Sequence, residues 1–79
     1  MHKIESIEYY YRRTYGIGGH KIIYWKVGRH YCVEHEYLEN GVVVIRDANW
    51  HRHSKRWLEK DREYWERHAK AHNNQDYRN

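Results

Sequence analysis

The residues best equipped for chemistry fall in two clusters. Glu8 to His20, EYYYRRTYGIGGH, sets tyrosines beside Arg12 and Arg13 and ends in glycines. His51 to Arg56, HRHSKR, groups Arg52, Lys55 and Arg56, with no acid before Glu59. Arginine beside aromatic rings is the chemistry of single-strand nucleic-acid binders, whose rings stack on bases while cations track the phosphates. The plainer reading of the first cluster is core tyrosines with solvated arginines, since strand alternation sends Tyr9 and Tyr11 to one face and Tyr10 to the other. For residues 51 to 56, a recognition helix and a solvated helix face stand level. From Glu59 onward the solvated face is preferred, with Glu63–Arg67 and Glu66–Lys70 as supporting i,i+4 pairs.

Acid–base and metal chemistry have thinner support. Gly16-Ile17-Gly18-Gly19 has the composition of a phosphate loop, but such loops deliver the anion to a following helix, and here a strand follows. His20, with Lys21 and Tyr24, supplies the groups of a metal-independent ribonuclease, a histidine base and cations near a phosphate. The stretch GGHKIIY resembles the glycine-then-histidine start of a strand in HicA-type ribonuclease toxins. That resemblance implies a minor ribonuclease-toxin reading. It spans fewer than ten residues, and the helix that precedes this stretch in that family has no counterpart here. Ser6, Thr14 and Ser54 stand in no nucleophile motif. His68 and His72, His51 and His53, and Cys32 with His35 are conceivable metal ligands. Zinc, however, needs about four converging ligands, and Cys32 and His35 point to opposite faces of a strand. No metal, no cofactor and no enzymatic activity are expected.

The elements that must position these residues follow from patterning. Gly28-Arg29 and Asn40-Gly41 fit two-residue hairpin turns. Strands are expected within 4–15, 21–27, 30–39 and 42–47, with Gly16 to Gly19 as a flexible connection. From about 49 to 72 the apolar positions Trp50, Trp57, Leu58, Trp65 and Ala69 keep helical rhythm, with Asp47 or Asn49 as cap. Residues 73–79 read as a frayed polar tail. The expected fold class is α+β: a four-stranded antiparallel β-meander followed by one long C-terminal amphipathic α-helix, in a single domain, 1–79. The turns set Lys21 opposite Glu36, Trp25 opposite Cys32, Leu38 opposite Val43 and Tyr37 opposite Val44. Both sheet faces are then largely apolar, and one helix can cover only one of them. The face of tyrosines and valines is expected to stay open for interaction.

Composition bounds the rest. A chain of 79 residues buries only about 60–65% of its unfolded surface, so its core is thin. One cysteine, Cys32, excludes an intrachain disulfide and favours a reducing compartment. MHKIESIEYY lacks the apolar stretch of a signal peptide. The longest aliphatic run, Val42 to Ile45, is far short of the ~20 residues that span a bilayer. A cytoplasmic protein without membrane contact is expected, in the host-cell cytoplasm if phage-encoded. There are nine Tyr and four Trp but no Phe, and the formal net charge is +4. Tyrosine and tryptophan suit recognition surfaces, and a basic balance suits an anionic partner.

The expected function is therefore a small, non-enzymatic binding protein that contacts nucleic acid or a nucleic-acid-handling complex such as a host protein or ribonucleoprotein. Its nominated contact residues are Tyr9, Tyr11, Arg12, Arg13, Tyr15, Tyr24, Tyr31, Tyr37, Arg52, Lys55 and Arg56. The alternative is a phage- or mobile-element-type stoichiometric protein inhibitor, for anti-defence or host takeover, acting through an aromatic sheet face. A homodimer that hides surplus apolar area is compatible with either.

Overall fold

In the computed structural model the backbone is described for residues 1–75 and the side chains for residues 1–72. Four strands, β1 (His2–Arg13), β2 (Gly16–Val27), β3 (His30–Glu39) and β4 (Val42–His53), precede one helix, α1 (Lys55–Gln75). The strands form one antiparallel sheet in chain order. The meander-plus-helix architecture is thus as the sequence implies.

Turn chemistry explains the meander. Gly28 lies at φ 62°, and Asn40 and Gly41 lie at φ 50° and 84°, the left-handed region that a tight hairpin needs. Lys21 faces Glu36, Trp25 faces Cys32 and Leu38 faces Val43, as expected. Tyr37 faces Ile45 rather than Val44, because a bulge interrupts the ladder there and advances β4 by one residue.

Three boundaries differ from expectation. Gly16 to Gly19 is no flexible connection: Thr14 and Tyr15 make the turn, and the glycines belong to β2. A Cβ on Gly18 would lie 2.4 Å from the Tyr11 ring, and one on Gly19 would lie 2.9 Å from the Tyr10 ring. These glycines are recesses over which tyrosine rings lie. Residues 49–53 are strand rather than helix, since Asn49 and His53 continue the ladder opposite Val33 and Tyr31. Trp50 precedes Trp57 by one heptad and so imitates helical rhythm. The cap is Ser54, not Asp47 or Asn49: Ser54 Oγ accepts from the Trp57 amide at 3.2 Å, and its carbonyl accepts from the Leu58 amide at 3.1 Å. Of the expected tail, Asn73 to Gln75 are helical, and residues 76–79 lie outside the described residues.

The helix lies chiefly over β1, with a lesser contact to β3. Leu58 and Ala69 close a core with Tyr9, Ile22, Tyr24 and Val33, flanked by Trp57 and Trp65. The Tyr24 hydroxyl donates to Asp61 at 2.8 Å, and Arg62 pairs with Glu5 at 2.9 Å. The covered face is therefore the tyrosine face, the reverse of expectation. On the open face Ile23 and Cys32 are still buried. Beside them runs a charged row, Glu8–Lys21–Glu36–Arg46, in which Arg46 reaches Glu36 at 3.1 Å and Glu34 at 3.6 Å. The open face is thus not uniformly apolar. Exposed aliphatic surface collects instead on the edge strand β4, at Val42, Val43, Val44 and Ile45.

Ser54→Ala should lower the unfolding free energy by about 1 kcal/mol in urea titration. Asp47→Ala and Asn49→Ala should leave the helical circular dichroism of the native protein unchanged; a loss on either would place the helix start upstream.

Candidate functional site

The nominated tyrosines divide by burial. Tyr9 and Tyr24 are core residues. Tyr11, Tyr31 and Tyr37 are half-buried, with Tyr37 stacked on His20 at 4.5 Å between ring centroids. Only Tyr15, 93% exposed at the β1–β2 turn, is free to meet a partner fully. Arg12 and Arg13 lie near that turn, and Arg13 pairs with Glu39 at 3.2 Å. This end holds a shallow groove of about 330 Å³ between the β1–β2 and β3–β4 turns. Arg52, Lys55 and Arg56 are exposed, but at the opposite end of the sheet. The two clusters do not form one surface on a molecule 41 Å long.

Antiparallel pairing assembles a different site around Arg52, Lys55 and Arg56. The start of β1, the β2–β3 turn, the end of β4 and the start of α1 all meet at one pole. His2 faces Lys26, Val27 faces His30, and Tyr31 faces His53. The three contributing segments, 1–4, 25–33 and 48–58, contain Lys3, Lys26, Arg29, Arg52, Lys55 and Arg56 and no Asp or Glu. They also carry His2, His30, His51 and His53. The first turn of α1 has no acidic residue either. Acids are favoured at a helix N-terminus, where unpaired amides carry about half a positive charge. Lys55 and Arg56 instead add like charge to it. Unneutralised cations at this density draw anions.

Aromatic rings interleave with this charge. On the helix side His53 stacks on Trp57 at 3.6 Å, and the Lys26 ammonium lies 5.1 Å from the Tyr31 ring centroid. On the open side Trp25 and Trp50 lie 6.3 Å apart. Sequence reasoning found Arg52, Lys55 and Arg56 but missed Lys3, Lys26, Arg29, Trp25 and Trp50 as their neighbours. The signal was present: three acid-free stretches that the hairpin register brings to one end.

A second titratable cluster lies between sheet and helix. His20, 3% exposed, meets the Tyr9 hydroxyl through Nδ1 at 2.8 Å and His35 Nδ1 through Nε2 at 2.8 Å. Trp65 stands edge-on to both imidazoles, and His68 and His72 pack on Tyr9. Burial first, then His35 and His68, push His20 down to about 4. Burial lowers His35 too, against the opposing pull of Asp61 and Asp47. Burial, with Tyr11, Tyr37 and Tyr64 nearby, raises Tyr9 to about 12. Two imidazolium ions cannot share the His20–His35 contact, since two N–H donors would then face each other. With both ring nitrogens engaged under the helix, His20 is a packing group rather than a base open to a phosphate. Among the described residues no three of His, Cys, Asp and Glu come together in a way that could hold a metal ion. No described helix is long and apolar enough to cross a membrane.

Comparison with protein-family models, curated proteins and solved structures finds no match. The site must therefore be interpreted from its own chemistry.

An imidazole kept neutral when folded protonates more readily when unfolded. Stability should thus be flat above about pH 6.5 and fall as pH drops from there toward about 4, the folded value of His20. The loss should be on the order of 2–3 kcal/mol for His20 alone, with His35 adding to it. His20→Gln should flatten this part of the stability–pH curve in urea titrations; an unchanged slope would argue against a neutral His20.

Proposed function

We propose that this chain is a non-enzymatic nucleic-acid-binding protein that grips the phosphate backbone with its acid-free pole. One observation carries the reading. Six cations meet at this end of the fold and none forms an ion pair with a described carboxylate, whereas elsewhere Arg13, Arg46 and Arg62 are each paired with glutamates. Concentrating like charge destabilises a fold unless an anion relieves it. A polyanion matches the spread of these cations better than a single small anion does. Backbone contacts of this kind fix affinity and orientation and carry no sequence code of their own.

The exposed Val42 to Ile45 stretch of β4 favours one other reading, a stoichiometric protein inhibitor that adds a partner strand to this edge. The two separate in a pull-down from lysate with and without nuclease. Partners lost on nuclease treatment support the nucleic-acid reading; a retained stoichiometric protein supports the other.

Affinity for nucleic acid should fall steeply with salt, because each neutralised phosphate releases counterions. Reversing Arg52, Lys55 and Arg56 to Glu should weaken binding by more than ~10-fold and make the log–log salt slope shallower by about three. Reversing Arg12 and Arg13 should change both little. Equal losses from the two ends, measured by fluorescence anisotropy, would move the footprint away from the pole.

A further inference from the structure

The cationic pole has two sides, and their aromatic residues are not equivalent. On the helix side the rings are already partnered: His53 lies flat on Trp57, and Tyr31 sits beneath Lys26. On the open side no described element covers Trp50, which is 46% exposed. Its neighbour Trp25 is half-buried and held by its indole N–H, which donates to Glu34 at 3.2 Å. Beneath the pair Cys32, 1% exposed, donates its thiol hydrogen to the Trp50 carbonyl at 3.8 Å. Ile23 is buried beside it. The two indoles thus adjoin buried apolar side chains.

Charge surrounds them. Lys3 shares the register row of Trp25 and Cys32. Arg52 follows Trp50 by two residues, in the irregular stretch of β4 between Asn49 and His53, and is exposed. Arg29 and His30 stand at the adjoining turn. The nearest acid on this face, Glu34, is buried and already occupied by Trp25 and by Arg46 at 3.6 Å.

We infer that this open-face tryptophan pair is a base-stacking subsite for single-stranded nucleic acid, an inference that rests on the nucleic-acid reading above. Trp50 offers the stacking surface, Trp25 backs it, and Lys3, Arg29 and Arg52 hold the phosphates on either side. Strand type follows from geometry. The Trp25 and Trp50 planes are inclined at 57°, so the stacking surface is the single exposed indole of Trp50. A duplex, which hides the faces of its bases in the stack, gives that ring nothing to grip. Reading a duplex would instead require an element that enters the major groove. The first turn of the helix packs Trp57 and Leu58 on the sheet and exposes Lys55 and Arg56, cations that suit phosphates. Unpaired bases all present a π-face, which makes such a platform tolerant of sequence.

The test uses the full chain with fluorescein-labelled oligothymidylate and with a duplex of matched phosphate number, at several salt concentrations. The single strand should bind at least several-fold more tightly, and binding should quench tryptophan fluorescence. Trp50→Ala should weaken single-strand binding by about tenfold, the size of one lost stacking contact, with the salt slope unchanged. Duplex affinity should not move. Trp50→Phe should keep most of the affinity while losing part of the quench, which separates stacking from any folding defect of the alanine variant. Equal affinity for single strand and duplex, or single-strand binding untouched in both variants, overturns the subsite. Failure to bind either nucleic acid at low salt would instead remove the nucleic-acid reading itself.

Discussion

The structure depends on one packing contact: a single helix laid across β1 with Leu58 and Ala69 seated on Tyr9, Ile22, Tyr24 and Val33. Burying a Leu side chain contributes roughly 1.5–3 kcal/mol, a large share of the stability that a domain this small can hold. The Tyr24–Asp61 hydrogen bond and the Glu5–Arg62 pair tie the same two layers together. A helix placed there cannot also shield β4 or the opposite side of the sheet. Every surface available to a partner is defined by what that contact leaves uncovered.

The same contact determines where the charge lies. With β4 ending at His53 and Ser54 as the cap, the helix must begin at the end of the sheet where the β2–β3 turn and the N-terminus already gather cations. The positive end of the helix is added to them. Outside the pole, Glu5, Glu34, Glu36 and Glu39 each hold an arginine. This separation runs against local stability, because a first helical turn free of acids forgoes the usual dipole gain. Departures from local preference of this kind collect at functional surfaces.

Between the layers, aromatic and imidazole rings do the work usually left to aliphatic side chains. His20 is stacked on Tyr37, hydrogen-bonded edge to edge with His35, and met edge-on by Tyr9 and Trp65. Such packing supplies hydrogen bonds to every buried ring nitrogen of His20, and it holds only while the imidazoles stay neutral. It also explains a chain rich in Tyr and His with no Phe: here the ring must carry a polar tip.

The fold class, the hairpin turns and most of the register were legible in the chain, because Gly28 and Asn40-Gly41 demand left-handed backbone that few other residues tolerate, and β-branched runs fill the strands between them. Trp50 misled, since one heptad separates it from Trp57 and only the ladder with β3 reveals it as strand. Local pattern and turn chemistry therefore determined that there would be a sheet, a helix and an excess of positive charge. Which face the helix covers, which tyrosines sink beneath it and which cations meet at one pole were decided in three dimensions. These are contacts between residues far apart in sequence, and their balance rests on shape complementarity that no short-range periodicity encodes.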